Sequence, residues 1–168
     1  MKNENSTSTT RVISGGQTGV DRAALDAAID SGLLVGGWCP KGRRAEDGKI
    51  DSRYPLRETD SKNHAVRTHL NVRDSDGTLI LIRETLHGGS LLTRRYAEIL
   101  QKKFMVLALE ASPDLETVVD WLTGNAIFNL NVAGPREGNE PGIYAQSYAW
   151  LQQLFRLWKL NRLEPVGE

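Results

Sequence analysis

The residues best placed to do chemistry lie in Ser14-Gly15-Gly16-Gln17-Thr18-Gly19-Val20-Asp21-Arg22, a glycine-rich turn entered by the apolar pair Val12-Ile13 and left by an alanine-rich helical pattern. Strand, glycine turn and helix together aim free backbone N–H groups and the positive end of a helix dipole at an anion. Glycine supplies the positive φ angles and the close backbone approach that such a cradle needs. Gly15, Gly16, Gln17, Thr18 and Gly19 are therefore candidate contacts, with Thr18 as a hydroxyl cap and Asp21 over the first helical turn. The alternative is a tight turn that binds nothing. Two further turns of the same kind favour an anion: Thr85-Leu86-His87-Gly88-Gly89-Ser90, and Gly134-Pro135-Arg136-Glu137. Gly88, Gly89 and Ser90 form the second candidate cradle. None of these turns is a Walker A sequence or a full dinucleotide fingerprint, so nucleotide triphosphate hydrolysis and NAD chemistry gain little support.

A third set of candidates lies between Gly36 and Asp60, a segment longer than structureless connections usually run. From Lys41 to Arg57, Lys41, Arg43, Arg44, Lys49, Arg53 and Arg57 outnumber Glu46, Asp47 and Asp51. Lys41, Arg43 and Arg44 are candidates to neutralise anionic oxygens, the arginines by two parallel hydrogen bonds. Trp38 and Tyr54 could hold a flat ring beside them. Asp74, Ser75 and Asp76 could accept bonds from ring nitrogens, or form an ordinary helix-ending turn. His64 and His69 are five apart, roughly 140° around a helix, so they are not a paired zinc set and read as structural or surface residues. Cys39 reads as packing rather than a metal ligand. No Ser-His-Asp arrangement or metal-ligand cluster stands out, so catalytic and metal residues are both expected to be none.

The elements that must position these turns follow from periodicity. Strands are expected at Val12-Ile13, Leu33–Val35, Thr78–Ile82, Phe104–Leu109 and Phe128–Ala133, the third being the clearest buried run. Helices are expected over Val20–Ser31, from a Ser61 cap to Asp74, over Leu91–Lys102, from Ser112-Pro113-Asp114 to Gly124, and from Pro141 to about Leu160. Five strands alternating with helices specify an α/β fold, a parallel sheet of about five strands with helices on both faces. Every glycine turn follows a strand, which puts all three on one edge of the sheet, where ligands of such sheets bind. The last helix carries Trp150, Leu151, Phe155 and Trp158 as an apolar stripe that either covers the sheet or joins copies of the chain.

At 168 residues the chain suits a single domain, read as a polar tail over 1–10 and one ligand-binding domain over 11–168. Twenty-one basic and 21 acidic residues cancel, so bulk attraction to nucleic acid or membrane is not implied. A lone cysteine excludes an internal disulfide and fits a cytoplasmic setting. No apolar run approaches a membrane span.

The turns together resemble the molybdenum carrier family, the molybdenum-cofactor carrier proteins, within a Rossmann-like superfamily that includes the lysine-decarboxylase-like phosphoribohydrolases. The resemblance rests on Gly15 to Asp26, Gly37 to Gly48, Tyr54-Pro55-Leu56, Asn71 to Asp76, Gly88-Gly89, Leu130 to Glu137 and Pro141 to Tyr144. It implies a Rossmann-like fold, a homo-oligomer such as a tetramer, and molybdenum cofactor as cargo, a pterin bearing a dithiolene-bound metal and a terminal phosphate. It also implies molybdoenzymes or cofactor-synthesis proteins as recipients. The hydrolase relatives carry Pro-Gly-Gly-X-Gly-Thr-X-X-Glu; here the stretch is His87 to Arg95, and Arg95 stands in the place of the catalytic glutamate. An arginine cannot serve as acid or base at neutral pH. The expectation is accordingly a non-catalytic carrier of a phosphorylated ligand. The alternative is a nucleoside-monophosphate phosphoribohydrolase-like enzyme using the same cradle.

Overall fold

The computed structural model describes residues 9–163. Of the stretch read as a tail, residues 1–8 lie outside the described residues. The elements are β1 (Arg11–Ile13), α1 (Val20–Asp30), β2 (Leu34–Gly36), four two-residue strands β3 (Trp38–Cys39), β4 (Arg44–Ala45), β5 (Gly48–Lys49) and β6 (Arg57–Glu58), α2 (His64–Arg73), β7 (Gly77–Ile82), α3 (Gly88–Ile99), β8 (Lys103–Ala108), α4 (Leu115–Gly124), β9 (Asn129–Ala133) and α5 (Ile143–Leu163).

Five of the strands build one wholly parallel sheet in the order β2-β1-β9-β7-β8, the Rossmann-like α/β arrangement expected. Side chains alternate across it. Val12, Leu79, Leu81, Leu130 and Val132 join the main core with residues of α1, α4 and α5, whereas Ile13, Ile80 and Asn131 do not. On the first face α5 packs against both α1 and α4; on the second, α2 packs on α3, which lies over β7 and β8. Small residues explain the close approach of α1 to α5. Ala23, Ala24, Ala27 and Ala28 are fully buried, leaving room for Phe155 and Trp158, which are fully buried too. Leu151, Leu154, Phe155 and Trp158 thus cover the chain's own sheet. That stripe is core, contributing about 1.5–3 kcal/mol for each large side chain buried, and does not mark an interface between copies.

Three helix starts differ from expectation. Asn63, not Ser61, caps α2, accepting from the Ala65 N–H at 2.9 Å; the Ser61 carbonyl instead receives Lys41 N–H. Asp114 caps α4 through the Thr117 N–H, because Ser112 ends a 3₁₀ turn in the left-handed region. The helix α3 begins at Gly88 rather than Leu91, taking both glycines into its first turn. Among the described residues no helix is long and apolar enough to cross a membrane.

Candidate anion-binding site

The turns after β1, β7 and β9 meet at one carboxyl edge of the sheet. There β1 and β7 lie either side of β9, with the chain leaving β1 toward β2 and β7 toward β8. This is where strand order reverses and where open α/β sheets leave a crevice. The crevice holds a cavity of about 110 Å³ lined by Gln17, His64, Arg67, His87, Gly88, Gly89, Ser90 and Arg136. All three turns contribute, as their common position after strands requires.

The start of α3 is the open donor of the site. His87 occupies the cap position without a side-chain cap bond, and the first internal bond is Leu91 N–H to His87 O at 3.3 Å. The N–H groups of Gly88, Gly89 and Ser90 have no acceptor among the described residues, as expected at a helix N-terminus. A Cβ added at Gly88 or Gly89 would meet nothing within 4 Å, so open space stands over both.

Arg67 forms the second half. Its guanidinium lies so close over Gly15 that a Cβ there would sit 2.4 Å from Nη1. Nη1 is 3.5 Å from Asp21 Oδ2, while the buried Nε has no hydrogen-bond partner. Asp21 is only 3% exposed. Burial pushes its carboxyl above the ordinary aspartate range, and Arg67, the Gln17 N–H, the Ser14 hydroxyl and Arg22 only partly oppose this. Arg136 is exposed and has no ion-pair partner among the described residues. The imidazole of His64 is held below its usual range, first by burial and then by Arg67, Arg136 and Arg44, so its neutral form faces the cavity. At the rim, Glu140 bridges His87 Nε2 at 3.4 Å and Arg83 Nη1 at 3.2 Å.

The first turn is closed in part by its own bonds, while the N–H groups of Gly15, Gly16 and Gly19 have no acceptor among the described residues. The N–H of Gln17 goes to Asp21 Oδ2, that of Thr18 to Gln17 Oε1 at 3.0 Å, and that of Val20 to Pro135 O at 3.1 Å. The Thr18 hydroxyl caps no helix, since Gly19 is the cap residue; it donates to Glu46 and accepts from the Glu137 N–H. Gly19 (φ +78°) is required because a Cβ would fall 2.3 Å from Pro135 O, and Gly16 packs against Leu56. These glycines let the first and third turns touch.

The basic segment is ordered by its own charges. Arg43 spends its guanidinium on main-chain carbonyls: Ile50 O at 3.0 Å, Leu56 O at 3.1 Å, Asp51 O at 2.7 Å and Tyr54 O at 2.9 Å. It is a staple, with its donors turned away from any ligand. Lys41 and Arg44 are exposed, and Arg44 lies near enough to act on His64. The β4–β5 hairpin is tied to the first turn by Asp47 to Arg22 at 3.0 Å, and by the Glu46 N–H to Gln17 Oε1 at 2.9 Å. Trp38 and Tyr54 do not meet around one ring. Tyr54 is buried with its hydroxyl on Asp26 at 2.6 Å, while Trp38 turns to Asp74.

Asp74, Ser75 and Asp76 precede β7, which puts them at the amino edge of the sheet, away from the cavity. Their groups are engaged: Asp74 with Trp38 and Arg73, Ser75 Oγ with Val72 O, Asp76 with the N–H groups of Phe128 and Asn129. Cys39 is fully buried among Leu25, Ile50, Tyr54 and Leu56. Arg95 is exposed and Glu98 pairs with Arg94 on the helix surface.

Four cavity residues escaped the sequence reading of candidates: His64, Arg67, His87 and Arg136. His87 and Arg136 sit inside turns already singled out. His64, Arg67 and Thr68 share one helical face by their i, i+3, i+4 spacing, a signal that carries no direction until α2 is placed. Among the described residues no group of histidine, cysteine, aspartate and glutamate could hold a metal ion.

The chain matches the circularly permutated YpsA SLOG family over residues 12–155. No curated protein matches it. Among solved structures, a crystal structure described as a putative molybdenum carrier protein from Syntrophus aciditrophicus SB is 43% identical. It superposes with a TM-score of 0.81, covering 88% of this chain and 95% of that one. By the extent of that match and this similarity, the chain belongs to the circularly permutated YpsA SLOG family, with its Rossmann-like fold.

Proposed function

We propose that this chain is a binding protein that holds a phosphorylated small molecule by its terminal phosphate, and that its cargo is molybdenum cofactor. The observation that carries the reading is the pairing of three unpartnered N–H groups at the start of α3 with Arg67, which lines the same cavity. Backbone donors at a helix N-terminus together with a guanidinium match the oxygens of a phosphate. At about 110 Å³ the cavity is below the ~300–1,000 Å³ of pockets that enclose a whole ligand. It takes the phosphate end, and a pterin would lie outside, along the rim formed by His87 and Arg136. The name of the Syntrophus protein supports the cargo.

The reading as a carrier without turnover is supported by the residue that stands where the hydrolases have their glutamate. The residue in the place of the hydrolase glutamate, Arg95, is an exposed cation. The hydrolase-like reading keeps one observation in its favour: His87 and Glu140 form a pair at the rim that could move a proton. The test is anaerobic titration with molybdenum cofactor beside an assay for ribose 5-phosphate release from nucleoside monophosphates. Binding without product, lost in Gly89→Asp, supports the carrier; multiple turnover that His87→Ala abolishes supports the enzyme. A homo-oligomer belongs to the same reading, with Leu157, Leu160 and Leu163, exposed at the end of α5, as the surface to be covered.

A further inference from the structure

The second face of the sheet has room for more than it carries. A helix about 10 Å across covers roughly two strands spaced about 4.8 Å apart, so α2 and α3 roof about four of the five. The uncovered margin, at β1 and β2, is a depression of about 470 Å³ beside Trp38. It is larger than the phosphate cavity and belongs to the other, amino side of the segment that follows β2.

Trp38 is held there with unusual completeness for a partly exposed aromatic residue. Its N–H donates to Asn71 Oδ1 at 2.7 Å, its carbonyl accepts from Asn71 Nδ2 at 3.0 Å, and its indole Nε1 donates to Asp74 Oδ2 at 2.8 Å. Main chain and ring are both pinned by the last turns of α2. Arg57, directly opposite Trp38 in the β3–β6 pairing, places its guanidinium 5.7 Å from the indole centroid. Arg11 lines the same depression. Neither Arg11 nor Arg57 has an ion-pair partner among the described residues, whereas Asp74 is already engaged by Arg73 and Trp38. A fixed aromatic plane costs little ordering entropy when a ring stacks on it, and two unpaired arginines beside it select a ring that carries negative charge.

We propose that this depression is a second ligand site, taking a planar heteroaromatic ring with an attached phosphate, stacked against Trp38 and held by Arg57 and Arg11. It is independent of the phosphate cavity and of the carrier reading. The probe is 2-aminopurine riboside 5′-monophosphate, whose fluorescence falls on stacking, with the unphosphorylated riboside and inorganic phosphate as controls. Binding is expected to quench the fluorescence, with the riboside weaker. Trp38→Leu removes the quenching, and Arg57→Gln or Arg11→Gln weakens binding by about three- to tenfold. Gly89→Asp, which closes the other cavity, leaves it unchanged. Arg57 is exposed, so Arg57→Gln reads the site even where Trp38→Leu lowers stability. Quenching that survives Trp38→Leu and disappears in Gly89→Asp assigns all binding to the phosphate cavity and overturns the proposal. So does absence of quenching at millimolar probe.

Discussion

Replacing Arg67 by methionine separates the two roles that the structure gives it. Arg67 lines the cavity, and its Nη1 is the cationic neighbour of a carboxylate only 3% exposed, Asp21. Losing a charge-assisted bond to phosphate costs about 1.5–3 kcal/mol, hence about a 10- to 150-fold weaker affinity. Losing the cation leaves Asp21 buried and unpaired, for which about 3 kcal/mol is a fair lower value given the 3.5 Å separation. For a domain of this size that is about a 6–12 °C fall in Tm. The sign with pH follows from Asp21. Its folded pKa already lies above the ordinary 3.8, because burial outweighs Arg67. A carboxyl raised in the folded state penalises folding while ionised in both states, and the penalty disappears as pH falls through the folded value toward 3.8. Without Arg67 the folded value rises further, so Arg67→Met should recover part of its lost stability on acidification from pH 7.5 to 5.5. Adding Asp21→Asn should restore most of the Tm at neutral pH while phosphate affinity stays low. Thermal unfolding by circular dichroism and calorimetric titration with inorganic phosphate measure the two quantities. Wild-type phosphate affinity in Arg67→Met, or a double variant as unstable as the single one, would refute the division of roles.

Gly19→Ala should destabilise by at least about 2 kcal/mol, because the residue has φ +78° and its Cβ would meet Pro135 O, whereas Gly89→Ala, in open space, should leave Tm unchanged or slightly raised. Arg43→Lys should lose about 2 kcal/mol in urea unfolding and expose the 43–57 segment to protease, with phosphate affinity unaltered, since a single ammonium cannot reach four carbonyls. Glu46 has its pKa lowered, chiefly by the Thr18 hydroxyl, below the ordinary 4.5. Its stabilisation is therefore present above 4.5 and lost as pH falls through the folded value, so the Tm gap between wild type and Glu46→Gln should close in acid. Sedimentation velocity at micromolar concentration should give an oligomer that Leu160→Glu dissociates; a wild-type monomer rejects that part of the proposal.

The sheet was legible because its strands are short runs of β-branched and aliphatic residues separated by glycine turns, and Thr78–Ile82 leaves no other reading. The common edge of the turns followed from parallel topology alone. What escaped was direction. Arg43 looks like a ligand contact because sequence shows a charge but not the four carbonyls that surround it. The Gln17 and Thr18 amides look free until Asp21 and the Gln17 side chain are seen to accept from them. Asp74 to Asp76 read as ring contacts because their side chains accept hydrogen bonds, yet they precede β7, and a residue before a parallel strand and one after it stand at opposite ends. Arg67 was invisible for the converse reason: nothing in a helical surface arginine says that a glycine-lined hollow lies under it.

The position of β9 bears on how the chain acquires its structure. The pairs β1–β2 and β7–β8 are each complete by residue 108, yet they share no hydrogen bond until Asn129–Ala133 slides between them. Two half-sheets with raw inner edges must therefore wait, each a template for mispairing, until the strand emerging last joins them. Closure is a long-range event, since Val12 meets Leu130 across most of the chain. Assembly of the crevice and completion of the sheet are thus a single late step, so a nascent chain shorter than this strand carries the α3 donors without the crevice that the three turns form together.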